Sequence, residues 1–489
     1  MTISRILFFL SAATSVFAQA GALGYSIATP RPIDPSSNST SPSALAAQSL
    51  NPYLGSTPVG KATGGTIQLS LQAAIDRGLR YNLGLIDSNQ AGAGARAQRL
   101  RALSALLPQI SARGEQTFER LSFKEIGIKL PPIAGFAGVP SASDPFGYQD
   151  ARVTATMPVY SAELRDRYAQ SKSLDDASRF NIKDARDIVV YAVGTAYLQV
   201  VGSAARVETA EAQLASAEEA DRQLADQVNS EVSPEIDSIR AQVEMQTARQ
   251  RLVNARNSLE KDKLTLARII GLPADQQFAL TDGATFVPLA GRTAERAGED
   301  ALTSRADLAS AGASLRAAEL AVHAEKAQRL PVVGFSADYG AAGVNTARMN
   351  QVYTVSGSVS IPLYTGGRIQ ADVAEAQAGL AQRRAEYEDL KGRIAYDVRV
   401  AMLDAQASES GVKVALSNQS LAARALAQAD DRYENGVTNY LEVIQAREAI
   451  AAAGENYIES LYSFNIAKVA LARAMGLAEK RVQDFFQEK

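Results

Sequence analysis

The 489-residue chain has no cysteine, no tryptophan and one histidine, His323. The lack of cysteine excludes a disulfide scaffold and thiol-ligated metal centres. It also leaves nothing for an acyl anchor after export. A lone histidine cannot build a histidine metal cluster, and no Ser/His/Asp set, HExxH, Walker loop or convincing GxGxxG is present. His323 lies in an Ala/Glu/Lys helical run, Ala318 to Gln328, and reads as a solvated or packed residue. The AGAG run at Ala91 to Gly94 places Gly92 and Gly94 inside a helix, for close packing rather than phosphate binding. A net charge of −3 gives no reason to expect a nucleic-acid partner. No enzyme activity, cofactor or metal is expected. Proline is absent from Ala162 to Val232, so a single very long helix is allowed there.

Residues 1–20 read as a signal peptide, with Arg5 as the n-region, an apolar stretch from Ile6, and Ala18-Gln19-Ala20 as the cleavage site. Residues 21–65 are rich in Pro, Ser, Thr and Gly and are expected to be a flexible leader. The Asn38-Ser39-Thr40 sequon is short enough to be chance. Ile188 to Ala205 is uncharged and nearly long enough to cross a membrane. However, its counterpart in the second half carries Arg393, Asp397, Arg399, Asp404 and Glu409. A membrane-spanning form of this chain is therefore expected to use strands.

The chain repeats itself. Met157-Pro158-Val159-Tyr160 returns as Ile361-Pro362-Leu363-Tyr364. At a shift of 205 positions Leu198 meets Leu403, Asp226 meets Asp431, Val232 meets Val437 and Ile239 meets Ile444. Gly271-Leu272 likewise meets Gly476-Leu477. Upstream, Leu107-Pro108 pairs with Leu330-Pro331 at a longer shift, which gives the first half an extra loop. Two long copies indicate duplication, not a solenoid of short units. The spacing gives this organisation: first repeat at 66–271, linker at 272–304, second repeat at 305–476 and tail at 477–489. Each copy reads as helix, strand, loop, strand, very long helix, turn, long helix.

Val193, Val200, Val207, Leu214 and Val228 fall on a seven-residue spacing, with Ile182, Val189 and Ala196 on a second row, as in a coiled-coil seam. A helix over most of the proline-free span reaches on the order of 100 Å. The strands alternate. Ile110, Ala112, Gly114 and Phe118 alternate with Ser111, Arg113, Glu115 and Thr117; Val153, Ala155 and Met157 with Arg152, Thr154 and Thr156. Val333, Phe335, Ala337 and Tyr339 alternate with Ser336 and Asp338; Tyr353, Val355, Val359 and Ile361 with Thr354, Ser356, Ser358 and Ser360. Each strand alone fits either a barrel with lipid outside and water inside or a half-buried strand on a soluble core. Four in an exported chain favour the barrel. Four strands cannot close one, and known barrels start at about 8 strands, so the chain must oligomerise. A dimer gives a filled barrel and a trimer leaves a lumen; the pattern alone does not choose.

Leu69-Ser70-Leu71-Gln72-Ala73-Ala74-Ile75 through Leu83, followed by Leu106-Leu107-Pro108-Gln109-Ile110, resembles the first helix and strand of TolC-like outer-membrane efflux proteins. Pro362 to Arg368 (PLYTGGR) resembles the strand-to-helix junction of that family. Arg432 to Val443 (RYENGVTNYLEV) resembles its second hairpin tip. The match runs from about residue 66 to 477. The resemblance implies a mainly α fold with β: a long α-helical barrel plus a transmembrane antiparallel β-barrel, with four strands per chain and 12 in a homotrimer. It also implies an equatorial belt of Pro273 to Asp300 with the C-terminal residues.

In function, the resemblance implies an outer-membrane channel of a tripartite efflux or type I secretion system. Its partners would be outer-membrane lipid, a periplasmic adaptor (membrane fusion protein) and an inner-membrane RND or ABC pump. Carried over residue by residue, the gate falls on Tyr433, Asp237, Glu442 and Gln445, with Gln445 where a second acid is common. The adaptor-contacting tips fall on Val232, Ser233, Pro234, Gly436, Val437, Thr438 and Asn439. Glu231 stands where the family usually has glycine, and Thr438 where some members have a basic residue. A secreted coiled-coil filament or adhesin would explain the helices but not the four strands. A pump adaptor would carry one hairpin, not two copies.

Overall fold

The computed structural model describes residues 51–122, 142–283, 285–289 and 293–481. The expected signal peptide, most of the leader, much of the 122–150 loop and the end of the tail lie outside these residues.

The elements run β1 (Ile67–Leu69), α1 (Leu71–Tyr81), α2 (Leu83–Ser104), β2 (Gln109–Glu119), β3 (Phe146–Tyr160), α3 (Ala162–Asn229) and α4 (Glu235–Ile270). They continue β4 (Phe278–Leu280), α5 (Ala294–Ser304), α6 (Ala306–Ala327), β5 (Val332–Gly343), β6 (Met349–Ser360), α7 (Arg368–Glu434), α8 (Tyr440–Ala474) and α9 (Ala478–Arg481). The fold is mostly helical with a small share of sheet. The same order of helix pair, two strands, very long helix and long helix occurs twice. The 272–304 stretch, expected as linker, contains β4 and α5.

α3 has 68 residues and α7 has 67. Ser161 caps α3 by accepting from the Leu164 amide at 3.3 Å. The uncharged stretch of α3 is buried by protein: Val189, Val190 and Val193 are fully covered, beside Ala74 and Ile75 of α1 and Leu266 and Ile270 of α4. Alanines at Ala210, Ala217 and Ala220 continue the buried stripe of α3, because small side chains let long helices approach. Gly92 does the same for α2: a Cβ there would lie 2.7 Å from Ile182 Cδ1. Around Gly94 the space is open, so of the two glycines only Gly92 is used for packing.

β2, β3, β5 and β6 form one antiparallel sheet in that spatial order. Its register places Ile110, Ala155, Ala337 and Val355 in one cross-strand row, and Ala112, Val153, Tyr339 and Tyr353 in the next. These rows share one face, whose members Ile110, Tyr353 and Val355 are 65–76% exposed. The opposite face carries Ser111, Thr154, Asp338 and Thr354 in a row. There the Arg152 guanidinium bridges Asp150 (2.7 Å) and Asp338 (3.0 Å). The sheet therefore has one uncovered apolar face and one polar face.

Within the expected leader, residues 55–59 are tied to the helix ends. Leu83 N donates to Gly55 O (3.0 Å), Thr57 N to Tyr81 O (3.0 Å) and Val59 N to Gly271 O (3.3 Å), and Ser56 Oγ bonds Arg268 O. Helix ends leave carbonyls without partners, and this segment satisfies those of α1 and α4.

Candidate gate and partner-contact site at the helix tips

α3 and α7 both end in a left-handed residue followed by a second long helix. Glu231 has φ 57° and Gly436 has φ 68°. Behind them the amides of Val232 and Val437 reach Gln227 O (2.9 Å) and Arg432 O (2.8 Å), while those of Glu231 and Gly436 reach Val228 O and Tyr433 O. Both ends are thus Schellman turns. Below the turns, Leu224, Ala241, Ala429, Tyr440 and Val443 form a small core that ties all four helices together.

The expected tip residues lie on these two turns. Val232 and Val437 are 73% and 67% exposed; Pro234, Gly436 and Asn439 are exposed, and Ser233 and Thr438 half-buried. Such exposure of apolar side chains on a rigid turn suits contact with another protein.

Of the expected gate residues, Tyr433 and Asp237 have other partners inside the chain. The Tyr433 hydroxyl donates to Gln227 Oε1 at 3.3 Å, and Gln227 Oε1 also accepts from Ser233 Oγ at 2.8 Å. Asp237 is buried and pairs with Arg240 at 3.1 Å. Glu442 is paired too: Arg432 lies 3.1 Å away and the Thr438 hydroxyl bonds its carboxylate. Its charge is therefore partly offset. Gln445 is exposed.

Sequence reasoning missed Gln227, Arg240, Arg432, Glu244 and Tyr440. Tyr440 is buried, packs on Tyr433 with ring centroids 5.5 Å apart, and points its hydroxyl at Glu244 (3.5 Å). Burial raises the Tyr440 hydroxyl above its ordinary range and also raises the Glu244 carboxyl. A signal for Gln227 and Arg432 was present: the 205-residue shift makes them equivalent, so each sits at the same place in its turn. The site holds hydrogen bonds and ion pairs of modest strength, about 0.5–1.5 kcal/mol for each neutral bond.

The uncovered sheet and the paired helical hairpins match known proteins. The family model for outer membrane efflux proteins matches residues 85–272 and 297–477. The outer membrane efflux protein BepC of Brucella suis is 22% identical over 357 residues, covering 71% of this chain and 77% of BepC. The outer membrane protein VceC of Vibrio cholerae superposes with a TM-score of 0.70 at 19% identity, over 83% of this chain and 96% of VceC. The open state of the MtrE outer membrane channel of Neisseria gonorrhoeae gives 0.70 at 18% identity, over 86% and 95%. With two matched segments spanning both halves, the chain belongs to the outer membrane efflux protein family.

Proposed function

We propose that three copies of this chain form a tube through the outer membrane. It would be a passive conduit in a tripartite efflux or type I secretion system, fed by an inner-membrane RND or ABC pump through a periplasmic adaptor. The carrying observation is the sheet. β2 and β6 are its edges, each more than ten residues long, and one face is apolar and uncovered. In lipid an unpaired strand edge costs several kcal/mol per group. Strands alternate in direction from β2 to β6, so β6 of one copy meets β2 of the next antiparallel, and the ring closes without a break. Three copies make 12 strands and leave a water-filled lumen lined by the polar face.

The helices support the same reading. Ile236, Ile239, Val243 and Val253 on α4, and Tyr396, Leu403, Val414 and Leu421 on α7, are about half or more exposed. They recur with the spacing of a coiled-coil seam, and neighbouring copies would cover them. The recurring element order supports the duplication.

Because the chain has no cysteine, single cysteines introduced along β2 and β6 report only on each other. Disulfides joining β2 of one copy to β6 of another are expected; their absence at every register contradicts ring closure. At the tips, Val232 and Val437 would seat the adaptor and the Tyr433, Asp237, Glu442 and Gln445 set would govern the entrance. Val437→Asp is expected to abolish crosslinking to the adaptor, and undiminished crosslinking counts against that assignment.

A further inference from the structure

We propose that the plane where the sheet meets the helices carries a collar of arginines that binds anionic phospholipid headgroups and fixes the depth of the protein in the bilayer. The proposal rests on reading the sheet as lipid-facing.

The chain crosses this plane four times: α2 to β2, β3 to α3, α6 to β5 and β6 to α7. Each crossing has the same composition. On the strand side stand uncovered apolar or tyrosine side chains: Leu107 at 49%, Tyr160 at 43%, Leu330 at 44%, and Leu363 and Tyr364 above 90% exposed. Tyr160 pairs with Val333 in the sheet register and so lies on the apolar face. On the helix side, within eight residues of the strand end, stands an exposed arginine: Arg101, Arg165, Arg329 and Arg368 respectively. Tyrosine and apolar groups at the edge of a hydrocarbon layer, with long cationic side chains just beyond, form the pattern of a membrane interface.

Two further observations separate this collar from ordinary surface charge. First, of the described acids nearby only Asp166 is left without an ion pair, against three arginines. Arg167 takes Glu163 (2.8 Å) and Glu325 (3.2 Å), and Arg368 takes Asp372 (2.9 Å). Among the described residues Arg101, Arg165 and Arg329 form no ion pair, which leaves positive charge in excess. Second, helix stability does not explain two of the arginines. Arg368 is the first residue of α7 and Arg165 the fourth of α3, where the helix dipole disfavours a cation. An external anion at this level offsets that cost, and a phosphate accepts the guanidinium fork in bidentate fashion. The continuous apolar band beside it selects an anion that carries acyl chains over one that is free in solution.

The test uses the full chain purified in detergent and exchanged with phosphatidylglycerol or phosphatidylcholine, with bound lipid counted by native mass spectrometry. The parent is expected to retain phosphatidylglycerol at least about tenfold better than phosphatidylcholine. Arg101→Gln, Arg165→Gln and Arg329→Gln together should remove most of that preference. These three have no ion pair to lose, so the fold should survive; the triple lysine variant should keep the preference. Millimolar inorganic phosphate should not displace the lipid. Equal preference in parent and triple glutamine variant, or full displacement by inorganic phosphate, would overturn the collar. If the protein inserts into bilayers of either lipid without discrimination, the collar alone fails. If it inserts into neither, the lipid-facing reading of the sheet fails with it.

Discussion

Glu231 and Gly436 occupy one and the same backbone position, 205 residues apart, at the left-handed ends of α3 and α7. The copies diverged here in residue but not in conformation. A side chain in this region costs roughly 1–2 kcal/mol relative to the right-handed helix, and glycine avoids that cost. Glu231→Gly is therefore expected to stabilise the first tip by about 1 kcal/mol, and Gly436→Ala to destabilise the second by a similar amount. Hydrogen exchange of the two turns reads this as about fivefold slower and faster opening. Unchanged exchange in both variants would mean that the turns are held by something other than local backbone preference.

The gate prediction follows from one bond across the hairpins and one within α4. Tyr433 joins α7 to Gln227 of α3, while Asp237 is held on α4 by Arg240. Tyr433→Phe combined with Asp237→Ala removes both interactions, the neutral Tyr433 bond being worth about 1 kcal/mol. The double variant is expected to show higher single-channel conductance in planar bilayers. Parental conductance would place the gate elsewhere.

Arg432 controls how much charge Glu442 presents. With Arg432 at 3.1 Å, the carboxylate is partly neutralised. Arg432→Gln should uncover it and strengthen block by divalent or trivalent cations from the periplasmic side, and Glu442→Ala should weaken that block. Cation block that is indifferent to both changes would make Glu442 an ordinary surface acid.

A buried lysine gives a pH signature. Lys468 of α8 is 1% exposed, donates to Val287 O at 3.2 Å and lies over the Phe464 ring. Burial pushes its ammonium down to about 8, with Glu409 acting in the opposite direction. The unfolded chain holds this proton up to about pH 10.4, the folded one only to about 8. Between these values the unfolded state binds more protons, so stability rises with pH; below pH 8 the contribution is flat and unfavourable. The melting temperature of the parent relative to Lys468→Met should increase from pH 7 to pH 9.5. A constant difference would mean that Lys468 stays charged throughout.

Much of the fold is legible in the sequence because it rests on period and repetition. Alternation at Ile110 to Thr117 and at Tyr353 to Ser360 marks two edge strands, and the proline-free span marks α3. What escapes is set by contacts between distant segments. The parallel pairing of Ile67–Leu69 with Phe278–Leu280 involves strands too short for a period. The break between α5 and α6 falls at Arg305, whose buried guanidinium holds Asp307 at 2.6 Å and Asp397 at 3.2 Å; no pattern announces that charge cluster. Gly55 to Val59 look like a loose leader by composition, yet they satisfy orphan helix-end groups. At the tips, family resemblance located the turns, whereas the partners Gln227, Arg240 and Arg432 needed the side-chain geometry.

Closure of the sheet by neighbouring copies is best tested by the mass of the native particle, measured in detergent without denaturant with the bound detergent subtracted. The trimer reading predicts three chains per particle and no stable smaller species at working concentrations. A stable monomer, or a two-chain particle with an eight-stranded barrel, would contradict it.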